Sequence, residues 1–282
     1  MTIVTTASIR HGLQELYPRG EASWLVRIVC CEEMGLSEVD YYAGKDMVLS
    51  ANDLARLEEI LARLRRYEPI QYVQGRARFL GRWFHVEPGV LIPRPETEEL
   101  VEKVLRCEGS RSGLRLLDVG TGSGCIAVSL ALGLPGTEVC GWDVSDQALA
   151  VARRNAATLG AVVNLEHHDV LDGVPLSGER FDVIVSNPPY VRSCERASME
   201  ANVKDWEPSL ALFVPDDDPL LYYRAIGRLG LEALSAGGRM YLEINSALGG
   251  ELRSLLLEMG YGQVRIEKDL SGHDRFAIVE KR

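Results

Sequence analysis

The residues best suited to chemistry in this chain of 282 residues form a short Asn-Pro-Pro-Tyr segment. It follows an apolar, β-branched run, Phe181–Ser186, that predicts a buried strand. Neither Pro188 nor Pro189 can donate a hydrogen bond to a sheet, so the chain must leave the sheet there in a rigid, extended form. These groups suit a planar amino group: Asn187 and the Pro188 carbonyl can accept its two hydrogens, while Tyr190 packs on its plane.

An isolated Asn-Pro pair is more often an ordinary turn that ends a strand. Two prolines and an aromatic ring after a buried strand favour a functional interpretation, because ligands of open α/β sheets bind at the carboxyl edge of the strands. The segment resembles the Asn/Asp-Pro-Pro-Tyr/Phe signature of methyltransferases that modify planar exocyclic or amide nitrogens. We therefore predict Asn187, Pro188, Pro189 and Tyr190 as substrate-binding residues, and Asn187, Pro188 and Tyr190 as catalytic residues.

A second candidate site is the glycine-rich turn that joins a predicted strand to a predicted helix. Its alternating glycines allow close backbone approach and can aim amides at a ligand. A dinucleotide fingerprint would need glycine where Cys125 stands, so an NAD-dependent oxidoreductase is disfavoured. The turn instead resembles the first motif of S-adenosylmethionine-dependent methyltransferases. Its predicted cofactor-binding residues are Asp118, Gly120, Thr121, Gly122, Ser123 and Gly124.

Acidic residues follow the next two predicted strands. Asp143 can accept hydrogen bonds from both hydroxyls of a ribose. Asp169, with Val170 beside it, fits an adenine amino group. Each acid alone could be a helix cap or a solvated loop residue, but the glycine turn, both acids and Asn187 all end successive strands on one edge. Together they predict S-adenosyl-L-methionine as cofactor, with S-adenosyl-L-homocysteine as product. Asp143, Asp169, Val170 and Asn187 are therefore also predicted as cofactor-binding residues.

From residue 114 onward, strands and helices alternate, which predicts a mainly parallel sheet. The closeness of the last two strands suggests a hairpin at its edge. The predicted strands are Leu114–Val119, Glu138–Val144, Val163–His168, Phe181–Ser186, Arg239–Ile244, Val264–Glu267 and Arg275–Glu280. The predicted helices are Gly124–Leu134, Asp146–Leu159, Leu220–Leu234 and Leu248–Met259.

The first 70 residues have helical periodicity, and we expect a small helical bundle. A capping box at Ser50 begins one helix, and we expect Pro69 to end it. Tyr72-Val73 and the segment 79–86 indicate a β-hairpin, after which Pro95 is well placed to open a helix that ends near residue 107. The predicted domains are a helical substrate-recognition domain (1–72), a hairpin linker (73–94) and a Rossmann-like class I methyltransferase domain (95–282).

The composition excludes several classes of protein. With 31 Lys and Arg against 41 Asp and Glu, the formal net charge is −10, which argues against stable binding to nucleic acid. There is neither a secretory signal nor an apolar run that could cross a bilayer, so we expect a cytoplasmic protein that does not bind membranes. The six cysteines and five histidines have no metal-binding spacing, and we predict no metal site.

Over nearly its whole length the chain resembles the HemK/PrmC family of peptide-chain release factor glutamine N5-methyltransferases. The resemblance implies methylation of the glutamine in the Gly-Gly-Gln motif of class-I release factors, which would be its protein partners. The chain departs from the family pattern at 214–219 and at Asn245. The segments that carry the resemblance are 68–75, 79–86, Val90–Glu98, the Ser-Asn-Pro-Pro-Tyr strand end and 207–212.

Three alternatives remain open at this stage. An amino-methyltransferase of nucleic-acid bases could use the same Asn-Pro-Pro-Tyr chemistry on a flipped base. A methyltransferase of a ribosomal-protein glutamine is a closer rival, although the Pro-Arg-Pro-Glu-Thr-Glu segment favours the release-factor branch. A binding protein without enzymatic activity would not need Asn187.

Overall fold

The computed structural model describes residues 1–173, 178 and 180–282. The chain divides into two compact units. Unit 1 contains Met1–Gly75 together with Ala201–Trp206, and unit 2 contains Arg76–Glu200 and Glu207–Arg282. A short segment from the second half of the sequence is thus part of unit 1, where the indole of Trp206 donates a hydrogen bond to the Arg66 carbonyl (3.0 Å).

Unit 1 is mainly helical, as its periodicity predicts. Its helices surround a core to which α1, α2 and α4 contribute most of the apolar side chains. The helices are α1 (Thr6–Gln14), α2 (Arg19–Ile28) with a π-helical extension (Val29–Glu33), α3 (Glu38–Tyr42), α4 (Ala51–Leu64), α5 (Ile70–Gln74) and, from the later segment, α9 (Ala201–Lys204). Strands β1 (Thr2–Val4) and β2 (Met47–Leu49) form a small antiparallel sheet that the helical periodicity did not predict.

Two predictions for unit 1 were wrong. Helix α4 starts at the Ser50 cap as expected but ends at Leu64, before Pro69. Tyr72 and Val73 do not form a strand, because they lie in the short helix α5. A side chain of the preceding helix contacts it: the guanidinium of Arg63 on α4 donates to the carbonyls of Tyr72 (3.1 Å) and Val73 (3.3 Å).

Unit 2 begins with the predicted hairpin, formed by β3 (Arg76–Phe79) and β4 (Arg82–His85). Its two-residue turn places both Leu80 (φ 46°) and Gly81 (φ 74°) in the left-handed region, as tight hairpin turns require. The hairpin then leads to α6 (Pro95–Glu108), which starts at Pro95 as predicted.

The described residues of unit 2 form the predicted seven-stranded sheet, with strand order β12-β13-β11-β8-β5-β6-β7. Only β13 runs antiparallel to the others, and it pairs with β12 as the predicted edge hairpin. The strands are β5 (Arg115–Val119), β6 (Glu138–Asp143), β7 (Asn164–His167), β8 (Phe181–Ser186), β11 (Leu234–Glu243), β12 (Gln263–Lys268) and β13 (Asp274–Glu280). The Rossmann-like fold class is confirmed.

Helices cover both faces of this sheet, and each face has its own apolar core. Helices α11 and α12 pack on one face, and α6, α7 and the hairpin pack on the other. The remaining elements of unit 2 are α7 (Cys125–Gly133), α8 (Asp146–Leu159), α10 (Ser209–Leu212), α11 (Leu221–Ala233), α12 (Gly249–Glu258) and the parallel pair β9 (Val191–Arg192) and β10 (Phe213–Val214). No helix among the described residues combines the length and apolar character needed to cross a membrane.

Candidate active site

A cavity opens in unit 2 at the carboxyl edge of the sheet. The parallel register aligns Val119 with Ser186 and Trp142, so the loops that follow β5, β6 and β8 begin side by side. Ten of the predicted site residues line the cavity, namely Gly120, Thr121, Gly122, Ser123, Asp143, Asp169, Val170, Asn187, Pro188 and Pro189. The remaining three, Asp118, Gly124 and Tyr190, are not part of the lining.

The glycine turn is stabilised by hydrogen bonds to Asp118, which is fully buried. The carboxylate oxygen Oδ2 accepts hydrogen bonds from the Thr121 hydroxyl (2.7 Å) and the Ala127 amide (3.2 Å). Asp118 therefore supports the shape of the turn, whereas the sequence suggested direct contact with the cofactor. Burial raises the pKa of its carboxyl to about 7.

The glycines are needed for the shape of the turn. Gly120, Gly122 and Gly124 all have positive φ (73°, 56° and 79°), a conformation that most side chains disfavour. A Cβ atom at Gly124 would also lie 3.0 Å from the Cβ of Ala152 on α8, so this glycine permits close packing of α8. Gly124 thus has a packing role, while the turn residues before it face the cavity.

Asp143 lies at the end of β6 and joins two neighbouring loops. One carboxylate oxygen accepts from the Gly122 amide (2.8 Å) and the other from the Ser145 amide (2.8 Å). Each oxygen keeps a further lone pair, so the side chain can still accept hydrogen bonds from a ligand. Burial raises the pKa of Asp143, and the two amides oppose this shift.

The Asn-Pro-Pro-Tyr segment leaves β8 as predicted. The hydroxyl of Ser186 donates to the Val119 carbonyl (2.6 Å) and fixes the strand end. The side-chain amide of Asn187 donates through Nδ2 to the Thr97 hydroxyl oxygen (3.0 Å). The phenol of Tyr190 donates to Glu243 (3.0 Å), so this ring borders the apolar core rather than the cavity lining.

Sequence reasoning missed one wall of the cavity. Arg94 forms an ion pair with the buried Glu207, which also accepts from the Ile92 amide (3.3 Å). These bonds join two segments that line the cavity, 89–94 and 208–211. In the sequence, these two segments stood out only because both belong to the stretches that carry the family resemblance.

A buried side-chain amide connects the hairpin to the glycine turn. The side chain of Asn155 on α8 accepts from the His85 amide (2.7 Å) and donates to the carbonyls of His85 (3.0 Å) and Ser123 (2.8 Å). Asn155 therefore links the hairpin to the glycine turn. An asparagine inside an amphipathic helix gives no sequence signal of this role.

Two protein-family models match this chain, one in its N-terminal part and one mainly in unit 2. The family model "PrmC N-terminal domain" matches residues 8–75, and the model "Methyltransferase small domain" matches residues 97–203. A release factor glutamine methyltransferase of Bacteroides thetaiotaomicron is 50% identical over 98% of this chain and 99% of its own. Another, from Enterococcus faecalis, is 39% identical over 94% and 95% of the two chains.

The chain belongs to the release factor glutamine methyltransferase family. This membership confirms the predicted family, the assignment as an S-adenosylmethionine-dependent methyltransferase and the predicted cofactor. Solved structures support the fold: a 16S rRNA methyltransferase of T. thermophilus, in complex with AdoMet and guanosine, has a TM-score of 0.55 at 23% identity and covers 73% of this chain and 50% of its own. A methyltransferase of Pyrococcus furiosus has a TM-score of 0.52 at 19% identity, with coverages of 82% and 98%.

The residues around the cavity fit this cofactor. Asp143 and Asp169 offer carboxylate acceptors for hydroxyl and amino groups, and the glycine turn leaves space for close approach. One buried oxygen of the turn, Ser123 Oγ, has no hydrogen-bond partner among the described residues, and Ser123 lines the cavity. This hydroxyl suits a ligand that brings a hydrogen-bonding group. In the described part of the chain, no three His, Cys, Asp or Glu side chains cluster as metal ligands do.

Stability should depend on pH through Asp118. Its pKa is about 7 in the folded chain and near 3.8 in an unfolded one, so the folded state binds this proton more tightly. The contribution of Asp118 to the free energy of unfolding is therefore full below pH 4 and falls as the pH rises to 7. The Asp118→Asn variant has no titratable group at this position. The difference in free energy of unfolding between wild type and this variant, measured by urea denaturation, should therefore shrink from pH 5 to pH 8.

The matched control for this measurement is Asp46→Asn, at an exposed aspartate. Its difference from wild type should stay constant over the same pH range. A constant difference for Asp118→Asn as well would show that Asp118 stays ionised in the folded protein.

Cofactor affinity should depend on Asp143. We expect Asp143→Ala to weaken binding of S-adenosylmethionine by ~1.5–3 kcal/mol, or roughly 10- to 150-fold, because a charged acceptor is lost. Isothermal titration calorimetry measures the affinity, and a melting curve reports any loosening of the loops that Asp143 joins. Asp146→Ala, an exposed acid on α8 outside the lining, is the control and should bind normally. Unchanged affinity in Asp143→Ala would remove Asp143 from the site.

Proposed function

We propose that this chain transfers a methyl group from S-adenosyl-L-methionine to the side-chain amide nitrogen, N5, of the glutamine in the Gly-Gly-Gln motif of class-I peptide chain release factors. Relatives of near-identical length support this substrate, because they are named release factor glutamine methyltransferases. The observation that carries the proposal is the position of Asn187 and Pro188 in a cavity they share with the glycine turn and Asp143.

The chemistry requires precise placement more than acid–base catalysis. An amide nitrogen is a weak nucleophile because its lone pair is delocalised into the carbonyl. The bound cofactor supplies an electrophilic methyl group on a sulfonium sulfur. Asn187 Oδ1 and the Pro188 carbonyl accept the two hydrogens of the glutamine amide and thereby aim its nitrogen. Orientation of this kind contributes up to about 7–11 kcal/mol in favourable cases.

No side chain is assigned as a general base. The extra proton can leave the nitrogen after the methyl group has been transferred, so no group has to remove it beforehand. The buried acid Glu243, which is linked to Asn187 through Thr97, has a pKa raised to about 6 by burial, but its oxygens already accept hydrogen bonds from Thr97 and Tyr190. Tyr190, which was expected to pack on the amide plane, is proposed instead to hold the segment through its hydrogen bond to Glu243 and its packing on the apolar core.

The alternative substrates have weaker support. A nucleic-acid base would fit the same planar site, but the whole-length relatives are named for a release-factor glutamine, and a chain with a net charge of −10 has little positive charge to bind phosphates. A ribosomal-protein glutamine is not indicated by the names of these relatives. A cytoplasmic location and the absence of stable nucleic-acid or membrane binding are consistent with a release-factor substrate and stay predictions.

Substitution of Asn187 tests the proposal. Asn187→Ala should bind the cofactor normally but lose ~2–4 kcal/mol of transition-state stabilisation, a roughly 30- to 1000-fold slower transfer. Asn187→Asp should fall between Ala and wild type, because it keeps an acceptor for the substrate but cannot donate to Thr97. Single-turnover methylation of a Gly-Gly-Gln peptide, read by mass spectrometry, gives these rates. Wild-type rates in both variants would refute the proposed site.

We further propose that unit 1 binds the release factor away from the reacting glutamine. The "PrmC N-terminal domain" model matches residues 8–75, which lie outside the methyltransferase model, and the predicted chemistry lies elsewhere in the chain. A separate domain of this kind can supply affinity for an intact protein that a short peptide does not need.

Removal of residues 1–70 tests the role of unit 1. The truncated chain should show a higher KM for intact release factor, because contacts outside the glutamine loop are lost. Its KM for the Gly-Gly-Gln peptide and its cofactor affinity should match wild type, and the latter also reports that the remainder folds. An unchanged KM for intact factor would limit unit 1 to a stabilising role.

A further inference from the structure

A buried carboxylate with no assigned role lies next to the site. Glu243 ends strand β11 and is 1% exposed. Its two oxygens accept hydrogen bonds from hydroxyl groups, one from Thr97 (2.7 Å) and the other from Tyr190 (3.0 Å). Burial of a carboxylate is costly, and two neutral hydroxyls compensate for it only partly. A position of this kind therefore suggests a function other than stability.

Thr97 links Glu243 to Asn187 through a second hydrogen bond. The oxygen of Thr97 that donates its proton to Glu243 also accepts a hydrogen bond from Asn187 Nδ2 (3.0 Å). These three side chains come from α6, β11 and the loop after β8, so the fold brings together three distant parts of the sequence. The result is a short chain of hydrogen bonds that ends at the proposed methyl-transfer site.

The direction of this chain is fixed by chemistry. An ionised carboxylate can only accept hydrogen bonds, and a threonine hydroxyl has a single proton to donate. The Thr97 proton must therefore point to Glu243, which leaves its oxygen as an acceptor. Asn187 must then turn its NH₂ group towards Thr97, so Oδ1 lies on the opposite side of the planar amide.

We propose that Thr97 and Glu243 are positioning residues that fix the side-chain amide of Asn187 with Oδ1 available to the substrate amide. This inference rests on the proposed function of Asn187. Without the chain, the amide could rotate by 180° and present a donor to the substrate NH₂ group, and two donors would then face each other. Tyr190 is held by the same carboxylate, so Glu243 organises both ends of the Asn-Pro-Pro-Tyr segment.

The first test removes only the hydroxyl of Thr97. Thr97→Val, which keeps the side-chain shape, should slow single-turnover methylation of the Gly-Gly-Gln peptide by about 10- to 100-fold. Its cofactor affinity should stay within about 3-fold of wild type, because the glycine turn and Asp143 are untouched. Thr97→Ser restores the hydroxyl and should recover the rate to within about 3-fold. Slow transfer in both variants, or in neither, would overturn the inference.

Thr137→Val is the matched control for this substitution. The Thr137 hydroxyl oxygen is buried, has no hydrogen-bond partner in the described part of the chain, and lies outside the cavity lining. Thr137→Val should transfer methyl at the wild-type rate. Glu243→Gln should slow transfer as well. The glutamine NH₂ group can donate to the Thr97 oxygen, so the Thr97 proton no longer has to point to residue 243 and the orientation of Asn187 is no longer fixed.

The second test separates positioning from direct contact. Thr97 is itself part of the cavity lining, so it could in principle touch the substrate. If it acts through Asn187, Thr97→Val should have no further effect on the rate in an Asn187→Ala background. The same 10- to 100-fold loss in both backgrounds would show that Thr97 acts directly and would overturn the inference.

The two proposals fail in different ways. If Asn187→Ala itself transfers methyl at the wild-type rate, the proposed function of the site is wrong. If Asn187→Ala is slow but Thr97→Val is as fast as wild type, only the positioning role is wrong. A melting curve and a cofactor titration for each variant separate a loss of fold from a loss of rate.

Discussion

Parallel pairing of β5, β6, β8 and β11 is the constraint on which the site depends. It sets the carboxyl ends of these strands next to one another, so each loop that follows begins at the same edge. The glycine turn, Asp143 and Asn187 come together for this reason alone. Helices on both faces of the sheet bury its apolar side chains and leave this edge as the place where polar groups can gather.

Burial of acidic groups is the second organising feature. Asp118, Glu207 and Glu243 are all nearly inaccessible to solvent around one cavity. One oxygen of Asp118 accepts from a hydroxyl and a backbone amide, Glu243 accepts from two hydroxyls, and Arg94 pairs with Glu207. Each of these acids fixes the geometry of a neighbouring loop, because a buried acceptor dictates where donors must point. Specific hydrogen bonds therefore hold the walls of the cavity, although the segments that form them are irregular.

The departures from the family pattern have clear structural roles. Asn245 donates to the Tyr190 carbonyl (3.0 Å) and accepts from the Ala247 amide (3.0 Å), so it ties the end of the Asn-Pro-Pro-Tyr segment to the loop after β11. In the divergent segment 214–219, Asp216 accepts from the Cys194 amide and Asp218 pairs with Arg224. These contacts are internal to unit 2, and of them only those of Asn245 reach the Asn-Pro-Pro-Tyr segment.

The sequence by itself determined the elements whose signals are local. The seven strands, the start of α6 at Pro95, the glycine turn and the strand end at Asn187 were all predicted, because periodicity, proline and glycine act over a few residues. Tertiary structure alone decided the rest. Thr97 and Glu243 are 146 positions apart, and Arg94 and Glu207 are 113 apart. A hydrogen bond between distant residues leaves no periodic trace in the sequence, so its partners become visible only when the fold brings them together.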